Sequence, residues 1–115
     1  FSYRHGAPSD ADMIFDMRFL SNPHWIGDLA DQTGRDQAVQ DYISQDPVFD
    51  RFMNQLKAQL DMMLPLYQQA GRPQFTIGFG CTGGRHRSVY AAEYIAAYLN
   101  SHAYDARLKH LQLPA

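Results

Sequence analysis

The stretch from Phe75 to Ser88 does most to limit the possible folds. An apolar run, Phe75–Phe79, bounded by Pro73, opens into Gly80-Cys81-Thr82-Gly83-Gly84-Arg85-His86-Arg87-Ser88. From Ser88 onward Val89, Ala92, Ala96 and Leu99 recur at helical spacing to about Asn100. A buried strand that enters a helix through a glycine loop belongs to an α/β fold. Tyr104, Ala106 and Leu108 alternate with Asp105, Arg107 and Lys109, which predicts a final half-buried strand. Strand, loop, helix and strand make a βαβ unit, so the expected architecture is a single α/β domain, a partly parallel sheet flanked by helices.

The remaining elements follow from period and punctuation. Met13–Leu20 reads as a strand, with Met13, Phe15, Met17 and Phe19 on a core face and Ile14, Asp16, Arg18 and Leu20 on the other. The second face is partly polar, so it is either solvated or lines a site. Asn22-Pro23 turns the chain into His24 and Trp25. Gln37–Ser44 predicts a short helix. Asp46–Gly71 predicts a long one, with Asp46 as N-cap, Pro47 in the first turn, and Phe49, Phe52, Met53, Leu56, Leu60, Met63, Leu64 and Tyr67 as one packing stripe. Pro65 is expected to kink or shorten its end, and Gly71 to stop it.

Composition bounds the function. At 115 residues, 45% hydrophobic and 19% charged, the chain can enclose one modest core. It contains no apolar run long enough to span a membrane. The start at Phe1 reads as a piece of a longer protein. The single cysteine, Cys81, excludes an internal disulfide and suits a reducing, cytoplasmic setting. A net charge of −2 argues against indiscriminate coating of nucleic acid. Acidic residues dominate from Asp28 to Asp50, whereas Arg85, His86, Arg87, Arg107, Lys109 and His110 crowd the last third. A polyanion should meet that end.

The Gly80–Ser88 loop carries the chemistry. It lies where open α/β sheets bind ligands, at the carboxyl end of a strand. Glycines let backbone N–H groups turn inward, the helix N-terminus adds partial positive charge, and Arg87 and Ser88 offer a guanidinium and a hydroxyl. Three glycines with Cys, His, two Arg and Ser in nine residues exceed what a bare turn needs, and they point to a phosphate. A second reading stays open. Cys81 and Arg87-Ser88 match the C-x5-R-S loop of cysteine-dependent phosphatases, in which Cys81 would attack phosphorus and a carboxylate such as Asp16 would protonate the leaving group. Gly80 stands where those enzymes commonly carry histidine. His24 and His86, so far apart, make a weak metal pair.

Several segments together resemble one family. Asp10-Ala11-Asp12, Phe15-Asp16-Met17-Arg18-Phe19-Leu20, Asn22-Pro23-His24-Trp25, Thr33-Gly34, Leu64-Pro65 and Gly80–Val89 look like the C-terminal domain of the RapZ/YvcJ proteins. The resemblance implies a fold similar to a sugar-phosphate-binding portion of phosphofructokinase, following an N-terminal P-loop domain that this chain lacks. No G-x-x-x-x-G-K-[ST] occurs in it, and no cofactor is expected here. It further implies a non-catalytic sensor of an RNase adapter that binds glucosamine-6-phosphate, contacts small regulatory RNA, presents it to an endoribonuclease and forms a homo-oligomer.

Carried over by position, Asp16 and His24 would contact the sugar, and Cys81, Thr82, Gly83, Gly84, His86, Arg87 and Ser88 the phosphate. A protonated amino group wants a carboxylate, which Asp16 supplies. Arg85, Arg107, Lys109 and His110 form the candidate RNA surface, or else are ordinary solvated charges. Enteric members end in a basic tail, whereas this chain ends Leu111-Gln112-Leu113-Pro114-Ala115. A plain RNA-binding module with an incidental anion site is the third reading.

Overall fold

The computed structural model describes residues 1–114. Two parallel strands, β1 (Met13–Asp16) and β2 (Ile77–Gly80), pair with Met13 opposite Ile77 and Asp16 opposite Gly80. Between them run two single-turn 3₁₀ helices, Pro23–Trp25 and Gly27–Leu29, then α1 (Gln37–Ser44) and α2 (Pro47–Gln69). After β2 comes α3 (Arg87–Ser101). This is the expected α/β class, but the parallel pair is joined through α1 and α2 rather than through α3.

Helix α2 forms as its sequence dictates. Asp46 caps it by accepting the Val48 N–H at 3.1 Å, and Pro47 fills a position whose N–H would be orphaned. Gly71, at φ +81°, closes it with paired bonds from Gly71 N–H to the Gln68 carbonyl and from Arg72 N–H to the Tyr67 carbonyl. Pro65 does not end the helix, which continues to Gln69. The prolyl ring lies on the exposed face, and packing of Leu64 and of Tyr67, whose ring lies 4.9 Å from that of Phe75, holds the last turn. Phe49, Met53, Leu56, Leu60 and Leu64 are buried against Val39 and Ile43 of α1, Phe79 of β2 and Ala91, Ile95 and Leu99 of α3. Burying each large side chain stabilises by roughly 1.5–3 kcal/mol.

Three strand expectations are corrected. β1 stops at Asp16, not Leu20, because the Asp16 carboxylate accepts the Arg18 N–H at 2.9 Å and turns the chain. The alternation then loses phase: Phe19 is 48% exposed and Leu20 only 3%. The Tyr104–Lys109 segment forms no strand and pairs with none among the described residues. Instead Asn100 holds Ala106 through both its side-chain oxygen and nitrogen, at 2.8 and 3.2 Å. β2 itself begins at Ile77 rather than Phe75.

One feature went unread in the sequence. Tyr90, Tyr94 and Tyr98 line one face of α3, and their hydroxyls reach Ser44, Lys57 and Asp61 at 2.7–2.8 Å. Phe49 stacks on Tyr90 at 4.7 Å. These bonds fix α3 against α1 and α2, and so fix the loop that precedes it.

Candidate functional site

The loop leaves β2 at its carboxyl end, as expected, and is built into the domain from three sides. Phe1–Tyr3 lies beside it: Cys81 N–H donates to the Phe1 carbonyl at 3.2 Å, Tyr3 N–H to the Cys81 carbonyl at 3.0 Å, and the Ser2 hydroxyl to the Thr82 carbonyl at 2.8 Å. A Cβ on Gly80 would strike the Phe1 and Tyr3 rings. Gly84 sits at φ +70° against Ser2, Phe1 and Gln112. From the third side Gly34 N–H donates to the Arg85 carbonyl at 2.8 Å, and a Cβ on Gly34 would collide with the backbone of His86 and Tyr90. Thr33-Gly34 is therefore a packing motif for the start of α3.

Within the loop the side chains are largely committed inward. Arg87 is 5% exposed, and its Nη1 donates to the carbonyls of Arg18 at 2.9 Å and Leu20 at 3.1 Å. It braces the turn after β1, while its Nε is buried without a partner. Cys81 and Ser88 lie 3.2 Å apart, Sγ to Oγ. Burial pushes the Cys81 thiol up. The Ser88 hydroxyl, the N–H groups of Ser88 and Gly84 and the Arg87 charge outweigh it, leaving the thiol below its ordinary value. His86 is buried, and burial lowers its basicity despite the backbone of Gln32, Leu29 and Ala30 nearby. Its Nε2 has no partner.

The backbone is free where the side chains are not. Among the described residues, the N–H groups of Thr82, Gly83, Arg85 and His86 donate to no protein acceptor, and His86 gives α3 no side-chain cap. Gly83 is exposed, with open space where a side chain would stand. Uncapped amides at a helix N-terminus are the physical basis of anion binding.

Asp16 lies level with Gly80 at the mouth of the sheet. Its carboxylate forms a bidentate pair with Arg18, at 2.7 and 2.9 Å, whose guanidinium lies 3.9 Å above the Tyr3 ring. The Arg18 hydrogen bonds hold Asp16 below the usual carboxylate range despite partial desolvation, with Arg87 adding its charge. The polar face of β1 that carries Asp16 and Arg18 thus lies at the mouth of the sheet, and Tyr3, which stacks under Arg18, is the member that the sequence did not single out. His24 stands exposed on the first 3₁₀ turn, its ring 5.0 Å from that of the exposed Trp25. No hydrogen bond among the described residues ties that ring to the loop. The structure thus gathers Asp16, Cys81, Thr82, Gly83, Gly84, Arg87 and Ser88, but leaves His24 aside and His86 underneath.

The candidate RNA residues separate. Lys109 is exposed, and Arg107 is exposed with Asp105 3.1 Å away. His110 is nearly buried and bonds Glu93 at 3.1 Å, while Arg85 is half-buried. Arg107, Lys109 and His110 line a cavity of about 260 Å³ that also reaches Gly84 and Ser88. No three His, Cys, Asp or Glu among the described residues gather to hold a metal, and no helix there is long and apolar enough to cross a membrane.

Comparison with known proteins agrees with this layout. The RapZ C-terminal domain family matches residues 1–114. A "nucleotide-binding protein" of Novosphingobium aromaticivorans is 50% identical over 113 residues, 98% of this chain and 37% of that protein. Namesakes from Dinoroseobacter shibae and Shewanella halifaxensis are 46% and 42% identical, again over 98% of this chain and over 38% and 40% of their own lengths. The chain therefore spans well under half of the relatives it matches, and it belongs to the RapZ C-terminal domain family.

Proposed function

We propose that this domain is a non-catalytic sensor of an amino-sugar phosphate, glucosamine-6-phosphate by family resemblance. The observation that carries the reading is the set of unpaired loop amides at the uncapped start of α3, facing the same end of the sheet as Asp16. The amides of Thr82, Gly83 and Arg85 would hold the phosphate, and Asp16 the protonated amine. Arg18 already neutralises Asp16, so a sugar amine would take the place of a guanidinium. Arg87 contributes charge while bracing the mouth from below.

The wider role is part of the same proposal. Exposed Arg107 and Lys109 would supply the RNA contact; His110, tied to Glu93, is a poor candidate and Arg85 an intermediate one. Presentation to an endoribonuclease, homo-oligomer formation and a cytoplasmic setting rest on the family resemblance. The relatives are named nucleotide-binding proteins. This chain carries no P-loop motif, so we assign that activity to the part of those proteins it does not cover.

The lowered Cys81 thiol favours the phosphatase reading, and the ionised, Arg18-paired Asp16 weighs against it, since a carboxylate held below its usual range is a poor proton donor. Calorimetric titration with glucosamine-6-phosphate against glucose-6-phosphate, glucosamine and inorganic phosphate tests the sensor. Selective binding that Asp16→Asn weakens is the expected result. Equal weak binding of every phosphate compound refutes it, and phosphate release that Cys81→Ser abolishes would establish the enzyme instead.

A further inference from the structure

The Tyr104–Lys109 segment has the alternation of a strand, yet what it would pair with is missing. In a parallel ladder successive residues of a strand serve opposite neighbours. Thr76, Gly78 and Gly80 face β1, so Ile77, Phe79 and Cys81 face the other way. The upper part of that edge is taken by Phe1–Tyr3, running parallel to β2, with Phe1 N–H groups donating to the Phe79 carbonyl at 2.7 Å. Below it, the Phe79 N–H and both backbone groups of Ile77 find no backbone partner among the described residues.

Two crevices of about 330 and 260 Å³ lie along this free edge, and both are lined by Ile77, Phe79, Ala92, Arg107 and Leu108. β2 forms one wall and the Tyr104–Leu108 segment the other. Unpaired backbone beside a half-apolar crevice costs free energy that a pairing strand would recover.

We propose that this slot is filled by a strand of the same polypeptide, the residues that lead into Phe1 in the longer protein. Continuing the Phe1–Tyr3 register downward places that strand between β2 and Tyr104–Lys109. The sheet becomes four parallel strands, and the C-terminal segment gains its partner. The residue two positions before Phe1 gives its N–H to the Ile77 carbonyl and accepts the Phe79 N–H. The Phe1 ring lies over Gly80 and Gly78, on the face away from the helices. Residues one, three and five positions before Phe1 would therefore point at the crevice lined by Ala92, Ile95 and Ala96, where uncharged side chains are favoured. The matched relatives, of which this chain covers 37–40%, have ample length to supply the strand.

Amide hydrogen exchange on the longer protein tests this. The Ile77 and Phe79 amides should exchange at least about 100-fold more slowly than the exposed Gly83 amide, at a rate independent of protein concentration. Proline placed two positions before Phe1 should remove most of that protection at Ile77 and leave α2 protected. Ile77 exchange as fast as Gly83, or unchanged by the proline, would overturn the proposal. Protection that vanishes on dilution would assign the slot to a second copy and overturn it equally.

Discussion

The Gly80–Ser88 loop and the Tyr104–His110 segment hold most of the cations in the last third of the chain, and they use them in opposite ways. In the loop, Arg87 is buried and braces the turn after β1 and His86 is buried, which leaves the peptide N–H groups as the outward-facing donors. In the segment, Arg107 and Lys109 project into solvent. A count of basic residues therefore says little about where a polyanion binds. What matters is which positive groups remain unpaired once the chain has folded.

Five substitutions probe that contrast. Gly34→Ala drives a methyl group into the backbone of α3's first turn and should cost roughly 3 kcal/mol or more in a denaturant titration, more than any change to a surface cation. Arg87→Met strands the carbonyls of Arg18 and Leu20. A loss of about 2 kcal/mol is expected, and a loss below about 0.5 kcal/mol would mean that Arg87 is not a brace.

Ser88→Ala removes a hydroxyl that favours the Cys81 thiolate, so the thiolate ultraviolet absorbance should titrate at higher pH than in the parent. Because folding lowers this thiol's pKa, its contribution to stability is complete above the ordinary thiol value of about 8.5 and is lost as pH falls through the folded value. The variant should show a weaker rise in stability on the alkaline side. Last, Arg107→Ala and Lys109→Ala should each change stability by less than about 0.5 kcal/mol while reducing the salt slope of RNA binding by about 1. An unchanged slope would remove the segment from the RNA surface.

Local chemistry made much of this legible in advance. Asp46, Pro47 and Gly71 mark the ends of α2, and a strict apolar stripe marks its buried face. The loop's position at a strand's carboxyl end followed from Phe75–Phe79 and the glycines after it. What escaped depended on partners distant in sequence. Nothing near Arg87 announces that the carbonyls of Arg18 and Leu20 lie within its reach. Nothing near His110 announces Glu93. The Asp16 turn was missed because alternation continued past it on paper, although an Asp that can bond its own backbone two residues on was the available warning. The Tyr104–Lys109 strand was expected from alternation and is unpaired among the described residues, since alternation reports the face of a strand and not the presence of its neighbour.

The loop is also where segments far apart in sequence meet, with Ser2 and Gln112 both closing on Gly84. Contacts that span eighty residues, such as Ser2 to Thr82, can form only after the intervening chain has condensed. The helices, with their local contacts, should assemble first and the Gly80–Ser88 end last. Substitutions at Ser2 or Gly84 should then hasten unfolding while leaving the folding rate nearly unchanged, so the loop end would be the last part to assemble and the first to fray.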